Sequence, residues 1–251
     1  MLLEKTVLIA TEKPFSEDAR NAAVKAMEES GLKVRILEGY KSQQELLAAA
    51  DGVHALIVRS DIIDQKVMDA FPNLELIVRA GAGWDNINHI YAEQKGIVVE
   101  PTPGQNSNAV AELAYEMLLM SIRPLNGKKG NELKGKRLGI HGFGNVGQIV
   151  ARLGVAFGMD VTVYDKFLDE RKAKEYGVTV VASTEGLYKN SDIVSVHIPS
   201  NNETNKSISY ELLKLMPANG ILVNTARAEV INEEGLLKVL KERPQFKYAT
   251  D

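Results

Sequence analysis

Gly142, Gly144 and Gly147 stand in the stretch "RLGIHGFGNVGQIVARLGVAFGMDVTVYDK", and glycines at that spacing suit one kind of chemistry. Between a strand and the first turn of a helix, such a loop lets backbone N–H groups approach a pyrophosphate at the positive end of the helix dipole. Downstream, "VTVYD" supplies a second strand ending in Asp165. That is the distance at which an acidic side chain accepts hydrogen bonds from adenosine ribose hydroxyls. A bare glycine triplet also fits a tight turn with close helix packing; strand, helix, second strand and terminal acid in register favour dinucleotide binding. A carboxylate at 165 repels a 2′-phosphate, so NAD is expected over NADP, a preference that Lys166 tempers.

Two further constellations could handle a small anion. In "LVNTARAEVINEEGL" a strand ends at Asn224-Thr225, and Ala226 and Arg227 follow. Arg227 there can clamp a carboxylate through its planar fork, or it is a surface arginine ahead of a helix capped by Asn232 with Glu233 and Glu234 in its first turn. In the first part of the chain, Arg59-Ser60 ends one strand and Arg79-Ala80-Gly81-Ala82-Gly83 follows another. The small residues would let backbone amides reach an anion, and either loop alone is an ordinary turn.

Positioning these residues requires elements on either side. Runs rich in β-branched residues recur at 6–10, 33–37, 55–59, 74–79 and 96–100, and again at 137–142, 160–165, 177–181, 192–199 and 220–225, with "FKYATD" last. Helix-length amphipathic stretches separate them, which predicts parallel strands with crossover helices. After Pro101-Thr102-Pro103-Gly104, "NAVAELAYEMLLMSIR" has helical spacing and joins two units. The runs are apolar on both faces, as strands covered by helices on each side should be. Asn126-Gly127 is the one hairpin-like dipeptide.

Composition narrows the partners. A formal net charge of −3 over 251 residues, with no basic block interleaved with aromatics, argues against nucleic acid. No apolar run approaches a membrane span, and Glu4 and Lys5 interrupt any signal-peptide core, so a cytoplasmic protein is expected. There is no Cys, and His54, His89, His141 and His197 share no i,i+4 spacing, so no metal site is expected.

The stretches "IVRSDIID", "PNLELIVRAGAGWDNI", "GIVVEPTPGQNSNAVAEL", "ELKGKRLGIHGFGNVG", "SDIVSVHIPSNNETNKSIS" and "LVNTARAEVINEEGL" follow one another through nearly the whole chain. In that order they resemble the D-isomer-specific 2-hydroxyacid dehydrogenases, most of all the members that act on D-3-phosphoglycerate in serine biosynthesis. The resemblance implies an α/β protein of two doubly wound parallel-sheet domains: a flavodoxin-like substrate domain (1–101) and a Rossmann NAD-binding domain (102–251) that includes the connecting helix, with a cleft between them. It places Gly142, Phe143, Gly144, Asn145, Val146 and Gly147 at the NAD pyrophosphate, Asp165 at the ribose and the H-x-P turn of His197 and Pro199 beside the adenosine. Thr225 and Ala226 would lie along the nicotinamide, with Asp251 at its carboxamide. Arg227 would bind the substrate's carboxylate and C2 oxygen, and Arg59, Ser60, Arg79, Gly81, Ala82, Gly83 and Asn106 would shape the substrate side.

The implied reaction moves a hydride between NAD and a small anionic D-2-hydroxy acid while a base takes the hydroxyl proton. Family members use a His held by a Glu, both after the strand whose terminal Asp matches Asp251. The four His here occupy other motif positions, so we expect that segment in a continuation of the chain. The alternatives are another D-2-hydroxyacid dehydrogenase, or a catalytically silent NAD(H)-sensing binding protein on the same fold. A homodimer is implied too, although the link in "SIRPLNGKKGNELKGK" is shorter than the segment that commonly makes the dimer contact.

Overall fold

The computed structural model describes residues 5–125, 130–168 and 170–251, with side chains omitted at positions 170 and 172. Asn126-Gly127 therefore lies outside the described residues. The strands are β1 (Thr6–Thr11), β2 (Lys33–Glu38), β3 (Ala55–Val58), β4 (Leu76–Arg79), β5 (Val98–Pro101), β6 (Arg137–His141), β7 (Asp160–Tyr164), β8 (Thr179–Val180), β9 (Ile193–Val196), β10 (Ile221–Asn224) and β11 (Lys247–Thr250). The helices are α1 (Glu17–Glu29), α2 (Gln43–Ala48), α3 (Gln65–Ala70), α4 (His89–Gln94), α5 (Ser107–Ile122), α6 (Asn145–Ala156), α7 (Glu170–Glu175), α8 (Thr184–Lys189), α9 (Tyr210–Leu213) and α10 (Glu233–Glu242). The chain divides into two compact units, Met1–Gln105 and Asn106–Asp251.

The first unit is a five-stranded parallel sheet in the order β2-β1-β3-β4-β5. That is the flavodoxin-like order, with its switch point between β1 and β3. Leu8, Ala10, Leu56, Val58 and Ile77 from the strands pack with Leu46 of α2, Val67 and Met68 of α3 and Ala92 of α4. Here the expectation of strands buried on both faces fails at the margins. β2 and β5 are edge strands, α1 buries no residue completely, and Ile36 and Val98 stay about half exposed. The edge position also accommodates Pro101, because its missing N–H faces no partner strand.

In the second unit six parallel strands run β11-β10-β9-β6-β7-β8, a Rossmann order that reverses between β6 and β9. Successive residues of β9 and β10 point to opposite cores: Ile193, Ile221 and Val223 pack under α5 and α6, while Val194, Val196 and Leu222 pack under α8, α9 and α10. These strands have no polar face to show water, which is why they read as continuous apolar runs. α5 is one of the covering layers, with Tyr115 donating to the Val150 carbonyl of α6 at 2.8 Å. Side-chain caps set the starts of several helices, among them Ser183 on α8 and Asn232 on α10. No helix among the described residues is long and apolar enough to cross a membrane.

Candidate functional site

β6 ends at His141, and the chain must turn sharply to begin α6 four residues later. Gly142 makes the turn at φ +100°, where a Cβ would stand 2.7 Å from the His197 carbonyl oxygen. Gly147, in the first turn of α6, passes so near that its Cβ would lie 2.1 Å from the Gly142 oxygen. These two glycines close the loop onto the sheet. Gly144 differs: it is exposed, its φ of −74° suits any residue, and nothing beyond its chain neighbours lies within 4 Å of where a Cβ would stand. It keeps clear the approach to the N-terminus of α6, where the first N–H groups have no intrahelical acceptor. Asn145 is exposed and Val146 half-buried beside it.

Phe143 has a different part from the one its neighbours suggest. Its ring lies in the core, edge-on to Tyr176, and its carbonyl accepts from the Gln148 amide at 2.9 Å. Its N–H donates to Asp165 Oδ2 at 2.7 Å, while Oδ1 accepts from the Phe167 N–H at 2.8 Å. Asp165 therefore ties the glycine loop to the end of β7, and each oxygen retains a lone pair for a further donor.

A cavity of about 340 Å³ beside the loop is lined by Gly142, Gly144, Asp165, Lys166, His197 and Pro199 among others. His141 Nδ1 lies 3.1 Å from the Tyr188 hydroxyl, and His197 Nε2 lies 2.8 Å from Ser195 Oγ. Burial pushes His141 down to about 4, with the Asp165 charge opposing it; burial and then the His141 imidazole push His197 down as well. Both rings are therefore neutral at pH 7 and each is held by a hydroxyl.

The edge of the same sheet carries the third piece. Asn224 is buried at the end of β10; its side chain accepts from the Ala226 N–H and donates to the Arg227 carbonyl, both at 3.0 Å. This folds Thr225-Ala226-Arg227 into a tight turn of the kind an Asn side chain stabilises. Arg227 Nη1 donates to the Ala226 carbonyl at 2.9 Å. Thr225 Oγ1 is buried with no hydrogen-bond partner among the described residues, which is uncommon enough to require a reason. On the adjacent strand Thr250 Oγ1 donates to the Asn224 carbonyl at 2.9 Å, which leaves Asp251 exposed just past the strand end.

In the first unit, Arg79 Nε donates to the Arg59 carbonyl at 3.1 Å, so the two arginine-bearing strand ends do meet. The Arg59 guanidinium turns toward the loop after β1, bonding the Lys13 and Pro14 carbonyls and lying over the Phe15 ring. Gly81 has another job than exposing an amide. Its N–H bonds the Arg79 carbonyl, and the Arg79 guanidinium lies where a Cβ would be. Ser60 and Ala82 are exposed, and Gly83 is half-buried. Asn106 begins the second unit, exposed at the N-cap of α5 with no side-chain capping bond.

Sequence reasoning missed Asp61 and Asn224 as organisers. Asp61 is buried and accepts from the Glu12 N–H and the Tyr40 hydroxyl at 2.7 Å and from the Arg59 N–H at 3.0 Å. It pins three strand ends together, and burial and its carboxylate hold the Tyr40 hydroxyl protonated far above the ordinary range.

The model of the NAD-binding domain of the D-isomer-specific 2-hydroxyacid dehydrogenases matches residues 114–251. The chain belongs to this family. D-3-phosphoglycerate dehydrogenase of Methanocaldococcus jannaschii is 35% identical over 94% of the chain and 47% of its own length, so the chain spans about half of that relative. Hydroxypyruvate reductase of Thermotoga maritima is 37% identical over 81% of the chain and 70% of its length. The NAD⁺-bound 3-phosphoglycerate dehydrogenase structure from Entamoeba histolytica superposes with a TM-score of 0.92 at 39% identity, covering 99% of this chain and 80% of that one.

A dinucleotide-binding glycine loop asks a different thing of each of its three glycines, and the glycines here meet these demands separately. One makes the tight turn, one leaves room for a pyrophosphate, and one lets the helix pack on the strand. The Thr225 hydroxyl on the same sheet edge, buried without a hydrogen-bond partner among the described residues, suits a polar ligand group. The residues present fit NAD.

Proposed function

We propose that the protein is an NAD-dependent dehydrogenase of D-2-hydroxy acids whose substrate is D-3-phosphoglycerate. The observation that carries the reading is Gly144, cleared of side chain between two glycines that packing explains. When bound, NAD supplies the hydride acceptor. The N–H groups around Gly144, Asn145, Val146 and Gly147 would hold its pyrophosphate, and Asp165 would accept from the ribose diol. His197 and Pro199 would border the adenosine, Thr225 and Ala226 would line the nicotinamide side, and Asp251 would receive the carboxamide.

Arg227 is the residue assigned to the substrate carboxylate and C2 oxygen, because a planar fork in a turn fixed by Asn224 can hold both at once. Among the first unit's residues, Arg59 and Arg79 offer cations suited to a phosphate. Arg227→Lys in the full-length protein should lower kcat/KM for D-3-phosphoglycerate by roughly ten- to a hundredfold, the worth of a charge-assisted hydrogen bond, with NADH affinity nearly unchanged. Arg59→Ala should raise KM for D-3-phosphoglycerate more than for D-glycerate. Steady-state kinetics of both variants on both acids test this. An Arg227→Lys enzyme with unchanged kcat/KM contradicts the clamp, and equal losses for Arg59→Ala contradict the phosphate assignment.

A further inference from the structure

Lys166 follows Asp165 directly, where an unpaired cation would welcome the 2′-phosphate of NADP. In the structure it is paired. Its ammonium forms an ion pair with Glu203, which stands 37 residues away on the loop after β9, and both residues line the cavity beside the glycine loop. We infer that Glu203 is a specificity-determining residue: by occupying Lys166 across the cavity and adding a second carboxylate to that of Asp165, it excludes a 2′-phosphate.

Both partners stand on defined turns. Asp165 is fixed through the Phe143 and Phe167 amides, which sets the backbone from which Lys166 projects. Asn201 Oδ1 accepts from the Glu203 and Thr204 N–H groups at 2.9 and 3.0 Å, and the Thr204 hydroxyl donates to the Pro199 carbonyl at 2.6 Å. The turn bearing Glu203 is therefore anchored to the same His197-Ile198-Pro199 segment that borders the cavity. A phosphate carries close to two negative charges at neutral pH. Between Asp165 and Glu203 it meets two carboxylates and an ammonium already neutralised by one of them.

Side-chain exposures of 58% for Lys166 and 69% for Glu203 mean that water screens the pair. The effect should be a moderate bias added to that of Asp165, since unit charges a few ångströms apart interact weakly in high dielectric. The inference rests on the NAD reading above, and the test separates the two. Calorimetric titration of NADH and NADPH would be run on the wild type, on Glu203→Gln, and on the Glu203→Gln/Lys166→Ala double variant. Glu203→Gln is expected to bind NADPH roughly five- to tenfold more tightly, the scale of one screened unit charge, with NADH affinity within twofold of wild type. The double variant should lose most of that gain. An unchanged NADPH-to-NADH ratio in Glu203→Gln overturns the inference while leaving the NAD reading intact, as does a gain that survives removal of Lys166. A wild type that binds neither nucleotide overturns both.

Discussion

Gly147→Ala is expected to lower the thermal midpoint by roughly 6–12 °C for a unit of this size and to remove most NADH binding. The added Cβ would stand 2.1 Å from the Gly142 carbonyl oxygen and 3.3 Å from Ile140 Cγ2. The nearest atom belongs to the backbone, so no side chain can swing aside. α6 must lift off the sheet, at a cost of about 3 kcal/mol for overpacking a well-filled core. The same shift moves the N-terminus of α6, together with the amides at its first turn. Circular dichroism melting and NADH titration on one preparation check both effects. A variant that melts with the wild type contradicts the close helix–strand packing.

Asp165→Ala is expected to weaken NADH binding by roughly ten- to a hundredfold, the range for losing hydrogen bonds to a charged acceptor. NADPH binding should change far less, so the preference between them narrows. Two causes add. The ribose diol loses its acceptor, and the buried Phe143 N–H loses the carboxylate that holds it at 2.7 Å. The second cause also loosens the glycine loop, so a stability loss of about 1–3 kcal/mol should accompany the change. Paired titrations with the two nucleotides decide the matter, and an undiminished preference for NADH would remove Asp165 from the ribose.

The glycine loop and Asp165 were readable because their chemistry is local: a turn, a helix start and a strand end within one βαβ unit set their spacing. The strand pattern of the second unit was readable for a related reason, since residues buried on both faces leave an unbroken apolar run. Strand limits were less so. The run from Leu74 begins β4 only at Leu76, because pairing with β3 starts there and Leu74 packs into the core instead. Exposure at the edges of the first sheet was unreadable, since nothing in "KVRILE" tells whether a helix will cover Ile36.

Asp61 escaped notice for a different reason. Its donors come from Glu12, Tyr40 and Arg59, which are brought together only by the order β2-β1-β3. The pairing of Lys166 with Glu203 likewise depends on loops of separate strands. Phe143 shows the limit of carrying a motif across whole: the backbone of the position belongs to the loop, while its side chain belongs to the core.

Gly144→Ala gives the most direct test of the central claim that this loop is a nucleotide cradle and not only a tight turn. The backbone at Gly144 already has dihedrals that alanine adopts freely, and nothing beyond its chain neighbours lies within 4 Å of the new Cβ. The fold has no reason to require glycine there, whereas a bound pyrophosphate does. The measurement is NADH affinity by calorimetry, with the melting midpoint taken on the same sample. The expected result is a midpoint within about 2 °C of wild type, an effect below roughly 1 kcal/mol, and a loss of NADH affinity of at least about tenfold, or 1.4 kcal/mol. A Gly144→Ala protein that binds NADH as tightly as the wild type would contradict it.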